Sequence, residues 1–394
     1  MSALFETYSR SIAFEKGEGM RLFTKEGISY LDFMSGVGVN SLGHNDAHLV
    51  RAMKSQAEKL WHVSNIFSIP QQEELAQRLV DNSFADAVFF TNSGTEAIEC
   101  AIKTSRKYYF DKGQENRTDI IAFNGAFHGR SLGAIAAGGN PAYLKGFGEP
   151  VAGFKHAKPN DIKSVKSLIN ENTAAILIEP IQGESGINVI SNDFMRSLRK
   201  LCDEHDLLLI LDEVQCGFGR TGKLFAYEDI GITPDIMAIA KGIGGGFPLG
   251  ACLAKSDIAK SMVVGTHGST YGGNPLACAV GNAVLDRILE PQFLPHVQEM
   301  SKKLNWHLHQ LQQRFPQYIK EVRGKGLMLG LKITPPVSEF VALLLKNHLL
   351  TIGAGDNVLR LLPPLIVQQS DIEEAIEIIT KAFKEIEEVD KLNG

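Results

Sequence analysis

Three short, nearly continuous apolar runs, at 174–178, 207–211 and 236–240, punctuate the middle of the 394-residue chain. Each has the length of a strand and is apolar on both faces, as a strand covered by helices on both sides must be. Between the first two, Phe194, Leu198, Leu201 and Cys202 recur at helical spacing within 193–205. The unit therefore reads β-α-β, which predicts a parallel, doubly covered α/β sheet. Val88, Phe89 and Phe90 predict another strand, followed by a helix with Ala97, Ile98, Ala101, Ile102 and Tyr109 on one face. Near residue 290 glycine thins and amphipathic helix patterns take over, which places a domain boundary there. Ile372, Ala375, Ile376, Ile379, Ala382, Phe383 and Ile386 mark one face of a long helix. That face is expected to cover a small sheet formed by the runs 326–333 and 358–362.

Composition narrows the partners. The chain is 44% hydrophobic and 22% charged, which excludes a disordered or fibrous protein, and its length suits roughly two to three domains. A net charge of -5 leaves no positive field to recruit nucleic acid or an anionic membrane, so the expected partner is a small molecule. Cys100, Cys202, Cys216, Cys252 and Cys278 form no C-x-x-C pair and read as buried reduced thiols of a cytoplasmic protein. His44 and His48 stand at i, i+4 without a third ligand, so no metal site is expected.

Each apolar run leads into a reactive residue: Glu179 after the first, Asp212 and Glu213 after the second, Lys241 after the third. Sites in open α/β sheets form at the carboxyl ends of strands, so ionisable groups delivered by three strands to one edge indicate a constructed site. The segment 91–97, Thr-Asn-Ser-Gly-Thr-Glu-Ala, joins a strand to a helix N-terminus, the geometry that turns free N–H groups toward a phosphate. A second hydroxyl and glycine cluster spans 268–274. A lysine at a desolvated strand end has its charged form disfavoured and suits a Schiff base with an aldehyde. Pyridoxal phosphate meets all three features: phosphate at the helix terminus, pyridinium nitrogen on a carboxylate, aldehyde on Lys241. Gly217-Phe218-Gly219-Arg220-Thr221-Gly222 also satisfies G-x-G-x-x-G, and it nearly completes a Walker A with Lys223, but Leu224 stands where Ser or Thr must be. A chain with 38 glycines meets the three-glycine pattern by chance about once in three cases, and this loop starts too far from its strand. It reads as a structural turn.

With these residues in view the chain resembles the class III pyridoxal-phosphate aminotransferases of fold type I. The likeness rests on six segments in order: 93–97 (Ser-Gly-Thr-Glu-Ala), 127–131 (Phe-His-Gly-Arg-Ser), 179–184 (Glu-Pro-Ile-Gln-Gly-Glu), 211–215 (Leu-Asp-Glu-Val-Gln), 241–246 (Lys-Gly-Ile-Gly-Gly-Gly) and 270–275 (Thr-Tyr-Gly-Gly-Asn-Pro). It implies a large cofactor-binding domain at 45–290, with a mostly parallel sheet between helices, and a small α+β domain built from 1–44 and 291–394. It implies that Lys241 forms the Schiff base and shuttles the proton, that Asp212 pairs with the pyridine nitrogen, and that Gln215 bonds the ring oxygen. Val214 and Phe127 would enclose the ring. Ser93, Gly94 and Thr95 would hold the phosphate, joined by Thr270 from the second subunit of a homodimer.

Substrate choice is implied to rest on Arg130 for the α-carboxylate of an ω-amino donor and on Arg360 for that of glutamate or 2-oxoglutarate, with Glu184 masking Arg360. The segments 32–44 and 359–365 carry a likeness to family members acting on N-acetylornithine and 2-oxoglutarate in arginine biosynthesis. Val37 stands where the ornithine-specific members have a tyrosine, which argues for an acylated donor. Succinyl-diaminopimelate, succinylornithine, ornithine and GABA remain alternatives, as does a non-transaminating enzyme of the same fold.

Overall fold

The computed structural model describes residues 3–393. The chain opens with an antiparallel meander of β1 (Lys16–Glu18), β2 (Arg21–Phe23) and β3 (Ser29–Asp32). β4 (Ala87–Thr91), β5 (Asp119–Phe123), β6 (Phe154–Ala157) and β7 (Thr173–Ile178) follow, then a hairpin of β8 (Ile181–Gln182) and β9 (Asn188–Val189). β10 (Leu208–Asp212), β11 (Ile236–Ile239) and β12 (Gly250–Ala254) come next. The C-terminal part holds β13 (Ile319–Lys325), β14 (Met328–Ile333), β15 (Leu349–Leu350), β16 (Ile352–Ala354) and β17 (Val358–Leu361).

Among the described residues, a seven-stranded sheet runs in the order β4-β12-β11-β10-β7-β5-β6. β7, β10 and β11 are buried at every position, as their unbroken apolar runs require. They pair in parallel, with Leu208 opposite Ala175 and Ile210 opposite Ile236. β12 runs antiparallel to both β11 and β4, so the sheet is mostly parallel with one reversed strand. The crossover from β7 to β10 uses the Asn192–His205 helix, which buries Phe194, Leu198, Leu201 and Cys202 and ends on Asp206 in left-handed backbone. The β8–β9 hairpin interrupts this crossover. Two residues per strand give no readable alternation, so the apolar pattern does not announce it.

A smaller antiparallel sheet follows the order β13-β14-β17-β16, and the N-terminal meander gains β15 as a parallel neighbour of β3. The C-terminal helix, Gln369–Asn393, packs on the Phe293–Arg314 and Val337–Lys346 helices rather than mainly on the small sheet. Its Phe383 stacks on Phe340 with ring centroids 4.4 Å apart and also meets Phe315 and Tyr318. An amphipathic stripe demands burial without specifying the partner, and here helices take the place expected of the sheet. Residues 1, 2 and 394, part of the expected small domain, lie outside the described residues. All five cysteines are free and buried, and among the described residues no helix is long and apolar enough to cross a membrane.

Candidate active site

The carboxyl edge of the large sheet delivers its chemistry strand by strand. β10 ends on Asp212, β7 runs into Glu179, and β11 leads through Ala240 to Lys241, whose backbone is left-handed at φ 49°. β5 leads to Phe127 and His128, and β4 to Ser93, the cap of the Gly94–Asp111 helix. These ends converge on a cavity of about 440 Å³.

Ser93, Gly94 and Thr95 line the cavity at the helix N-terminus, where the first N–H groups have no acceptor within the helix. Ser93 accepts the Glu96 N–H at 3.4 Å, and the Thr95 hydroxyl lies 2.9 Å from that of Ser131. A Cβ on Gly94 would stand 2.7 Å from a Val214 methyl, so only glycine lets the helix start and Val214 close on the same space. Asp212, 4% exposed, accepts the Val214 N–H at 3.0 Å and lies 2.8 Å from His128 Nδ1. Among the described residues His128 Nε2 is buried without a partner. Glu179 accepts the Phe127 N–H at 2.9 Å, and burial, aided by Asp212, pushes its carboxyl well above the usual range. Burial first, then the Arg360 guanidinium, lowers the Lys241 ammonium below the usual lysine range.

Arg360, on β17, is 1% exposed and donates from Nη1 to Glu184 Oε1 at 3.1 Å and to Gln215 Oε1 at 3.5 Å. Its Nε is buried without a partner among the described residues. Arg130 is exposed at the rim with its guanidinium 3.8 Å above the Tyr143 ring.

Ser93, Gly94, Thr95, Phe127, Arg130, Glu184, Asp212, Val214, Gln215 and Lys241 thus line one cavity, with Arg360 behind Glu184. Thr270 does not join them: it is exposed on a loop that Asn65 ties down through the Ser269 and Gly272 carbonyls. Val37, expected to shape the donor end, is not among the residues that line the cavity and packs instead against the apolar cluster of Ile181, Ile187 and Met328; Val39 lines the cavity with Val214 and Leu249. Asn92 and His128 also line the cavity and were given no role on sequence grounds. His128 lies within a quoted motif, but its partner Asp212 is 84 positions away. His44 and His48 face different carboxylates, Asp32 at 2.7 Å and Asp286 at 2.8 Å, and share no ligand. The donor set of helix N-terminus, buried carboxylate and depressed lysine fits a phosphorylated aromatic aldehyde.

The sequence matches the class III aminotransferase family over residues 5–383. A protein of Agrobacterium fabrum named acetylornithine aminotransferase is 56% identical over 380 residues, 96% of this chain and 95% of its own. The crystal structure of N-acetylornithine aminotransferase from Stenotrophomonas maltophilia superposes with a TM-score of 0.85 at 35% identity, covering 97% of this chain and 98% of that one. Ornithine aminotransferase from Toxoplasma gondii gives a TM-score of 0.94 at 29% identity, covering 98% and 93%. Fold, cavity and sequence agree, and the chain belongs to the class III aminotransferases.

Proposed function

We propose that this enzyme, with pyridoxal phosphate as cofactor, transfers the ω-amino group of N-acetylornithine to 2-oxoglutarate. The products are N-acetylglutamate semialdehyde and glutamate, a step of arginine biosynthesis in the cytoplasm. The observation that carries the reading is a buried arginine, Arg360, covered by Glu184 beside Lys241. One cavity can then take a donor by its terminal amine while Arg360 is covered, and a dicarboxylate when it is not. The relatives named as acetylornithine aminotransferases support the choice of donor.

Asp212, oriented by His128, would hold the pyridine N–H, and Gln215 the ring oxygen. Val214 and Phe127 would enclose the ring, Ser93, Gly94 and Thr95 would take the phosphate, and Lys241 the aldehyde. When bound, the cofactor supplies the electron sink for breaking a C–H bond at the amine-bearing carbon. Lys241 Nζ, its charge disfavoured by burial, takes the proton from that carbon of the donor and returns one to the α-carbon of 2-oxoglutarate. Arg130 at the rim would hold the α-carboxylate of N-acetylornithine, and Arg360 that of 2-oxoglutarate. Val39 offers no hydrogen bond to a free α-ammonium, which favours the acylated donor.

A homodimer would bring Thr270 of one subunit to the phosphate cradle of the other. Exposed Trp61, Ile66, Phe67 and Tyr271 beside that loop support such an interface. Residues 45–290 would form the large domain, and 1–44 with 291–394 the small one.

The test is a set of single-turnover half-reactions of the yellow holoenzyme with N-acetylornithine, succinyl-diaminopimelate, succinylornithine, ornithine and GABA. N-acetylornithine is expected to bleach the cofactor band fastest. Faster bleaching by another donor overturns the substrate, and no bleaching by any of them overturns ω-amino transfer.

A further inference from the structure

Glu184 sits at the tip of the β8–β9 hairpin, and that tip is strained. Ile187, fully buried, has φ 55°, a left-handed conformation that a β-branched side chain rarely adopts. Gly186 before it has φ 119°, and a Cβ there would stand 2.7 Å from the Gly355 carbonyl oxygen. A conformation of this kind persists only where surrounding contacts impose it.

Ile187 is buried among Ile181, Met328 and Val358, and polar contacts on either side of it converge on Arg323 of β13. Its Nη1 donates to the Gly186 carbonyl at 3.2 Å and to Asn188 Oδ1 at 3.1 Å. Its Nη2 donates to Asp356 Oδ2 at 2.7 Å and pairs with Glu321 at 2.7 Å. Asp356 lies in the turn between β16 and β17, and the Gly355 N–H in the same turn donates to the Glu184 carbonyl at 2.8 Å. One guanidinium therefore fastens the turn that carries Glu184 to the turn that leads into the strand of Arg360. The planar fork suits this task, since it addresses two turns in fixed directions at once. Lys332 also holds Asp356, at 2.8 Å, so the β16–β17 turn keeps an ionic partner when Arg323 is removed.

We infer that Arg323 is a specificity-determining positioning residue: by clasping the strained tip it holds Glu184 over Arg360 and sets how readily that cover opens. This inference rests on the proposed opposing roles of Glu184 and Arg360. Without the clasp the tip relaxes away from its left-handed backbone, Glu184 leaves Arg360, and the uncovered guanidinium favours a dicarboxylate over an ω-amine donor.

The experiment measures the maximal rate over the dissociation constant for the glutamate and N-acetylornithine half-reactions of holoenzyme variants. Arg323→Gln is expected to shift the ratio about 5- to 20-fold toward glutamate, with Arg323→Lys between it and the parent. In a Glu184→Ala background the same substitution is expected to shift it no further. An unchanged ratio, an equal fall in both half-reactions, or an undiminished shift in the Glu184→Ala background overturns the inference. If Glu184→Ala alone leaves the ratio unmoved, the underlying roles of Glu184 and Arg360 fail with it. Should Arg323→Gln fail to fold, Asn188→Ala removes one contact on the tip and is expected to move the ratio the same way by about two- to threefold; no movement is then the overturning result.

Discussion

The cavity has two unlike walls. One is the carboxyl edge of the large sheet, where Asp212 and Lys241 stand at the ends of strands buried at every position, Asp212 fixed by the nearby Val214 N–H and by His128 from the end of β5. On the other, Glu184 at the β8–β9 tip, about a third exposed, reaches across to Arg360, buried within β17 of a different sheet. The first wall is fixed because any movement would tear strands out of a close-packed core. On the second, the turn that carries Glu184 is held by a handful of polar contacts, so it can move without disturbing the core. On the proposed roles, the chemistry common to both half-reactions falls to the first wall and the choice of substrate to the second.

The strongest way to break this division is at Lys241. Lys241→Ala is expected to lower the maximal rate about 10³-fold or more in both half-reactions, read by stopped-flow absorbance, with circular dichroism unchanged. A loss confined to one half-reaction would show that the sheet edge is not common to both.

Arg360→Leu attacks the other wall. A hydrogen bond to a charged group is worth about 1.5–3 kcal/mol, so kcat/KM for 2-oxoglutarate should fall roughly 10- to 150-fold. The N-acetylornithine half-reaction should change no more than about threefold on the same scale. Since Arg360 also lowers the Lys241 ammonium, the variant should shift the pH profile of Lys241 toward alkaline pH. Equal losses with both substrates would erase the distinction between the walls.

The smallest effect concerns stability. Burial pushes Glu213, next to Asp212, up to about 8, above its unfolded value. The folded state therefore binds this proton more tightly, and the group's contribution is present below the unfolded value near 4.5 and lost as pH rises through about 8. Glu213→Gln should flatten the decline of unfolding free energy between about pH 5 and 8 in urea titrations at several pH values. An unchanged slope would mean that Glu213 is ionised throughout, held by the Ala226 and Tyr227 N–H groups it accepts.

The sheet-edge wall was legible in the sequence because its logic is local. An apolar run, then a charge, places Asp212 and Lys241 without knowledge of the rest of the chain, and Ser93 announces a helix start on its own. The hairpin wall was not legible from patterning. Glu184 and Arg360 are 176 positions apart, the β8–β9 strands are too short to show a period, and the reversal of β12 leaves no trace in its composition. Only family resemblance named that pair. The glycine loop at 217–222 teaches the converse. A side chain on Gly219 would press on Leu365 at 2.9 Å, and one on Gly222 on Gln298 at 2.8 Å. Its Arg220, 2% exposed, spends its guanidinium on the Leu327 and Pro363 carbonyls. The glycines there serve close crossing of chain segments.

The parallel pairing of β3 with β15, Leu31 beside Leu349, bears on how the protein is made. A ribosome adding about 5–20 residues per second finishes β15 roughly 15–60 s after β3 has been polymerised. During that interval one edge of β3 lacks its neighbour, and an open strand edge is a template for pairing with other chains. The last 46 residues, from Leu349 onward, are therefore what closes the first sheet to be synthesised. A chain cut short before them would keep the whole sequence of its large sheet and still leave the outer edge of β3 unpaired.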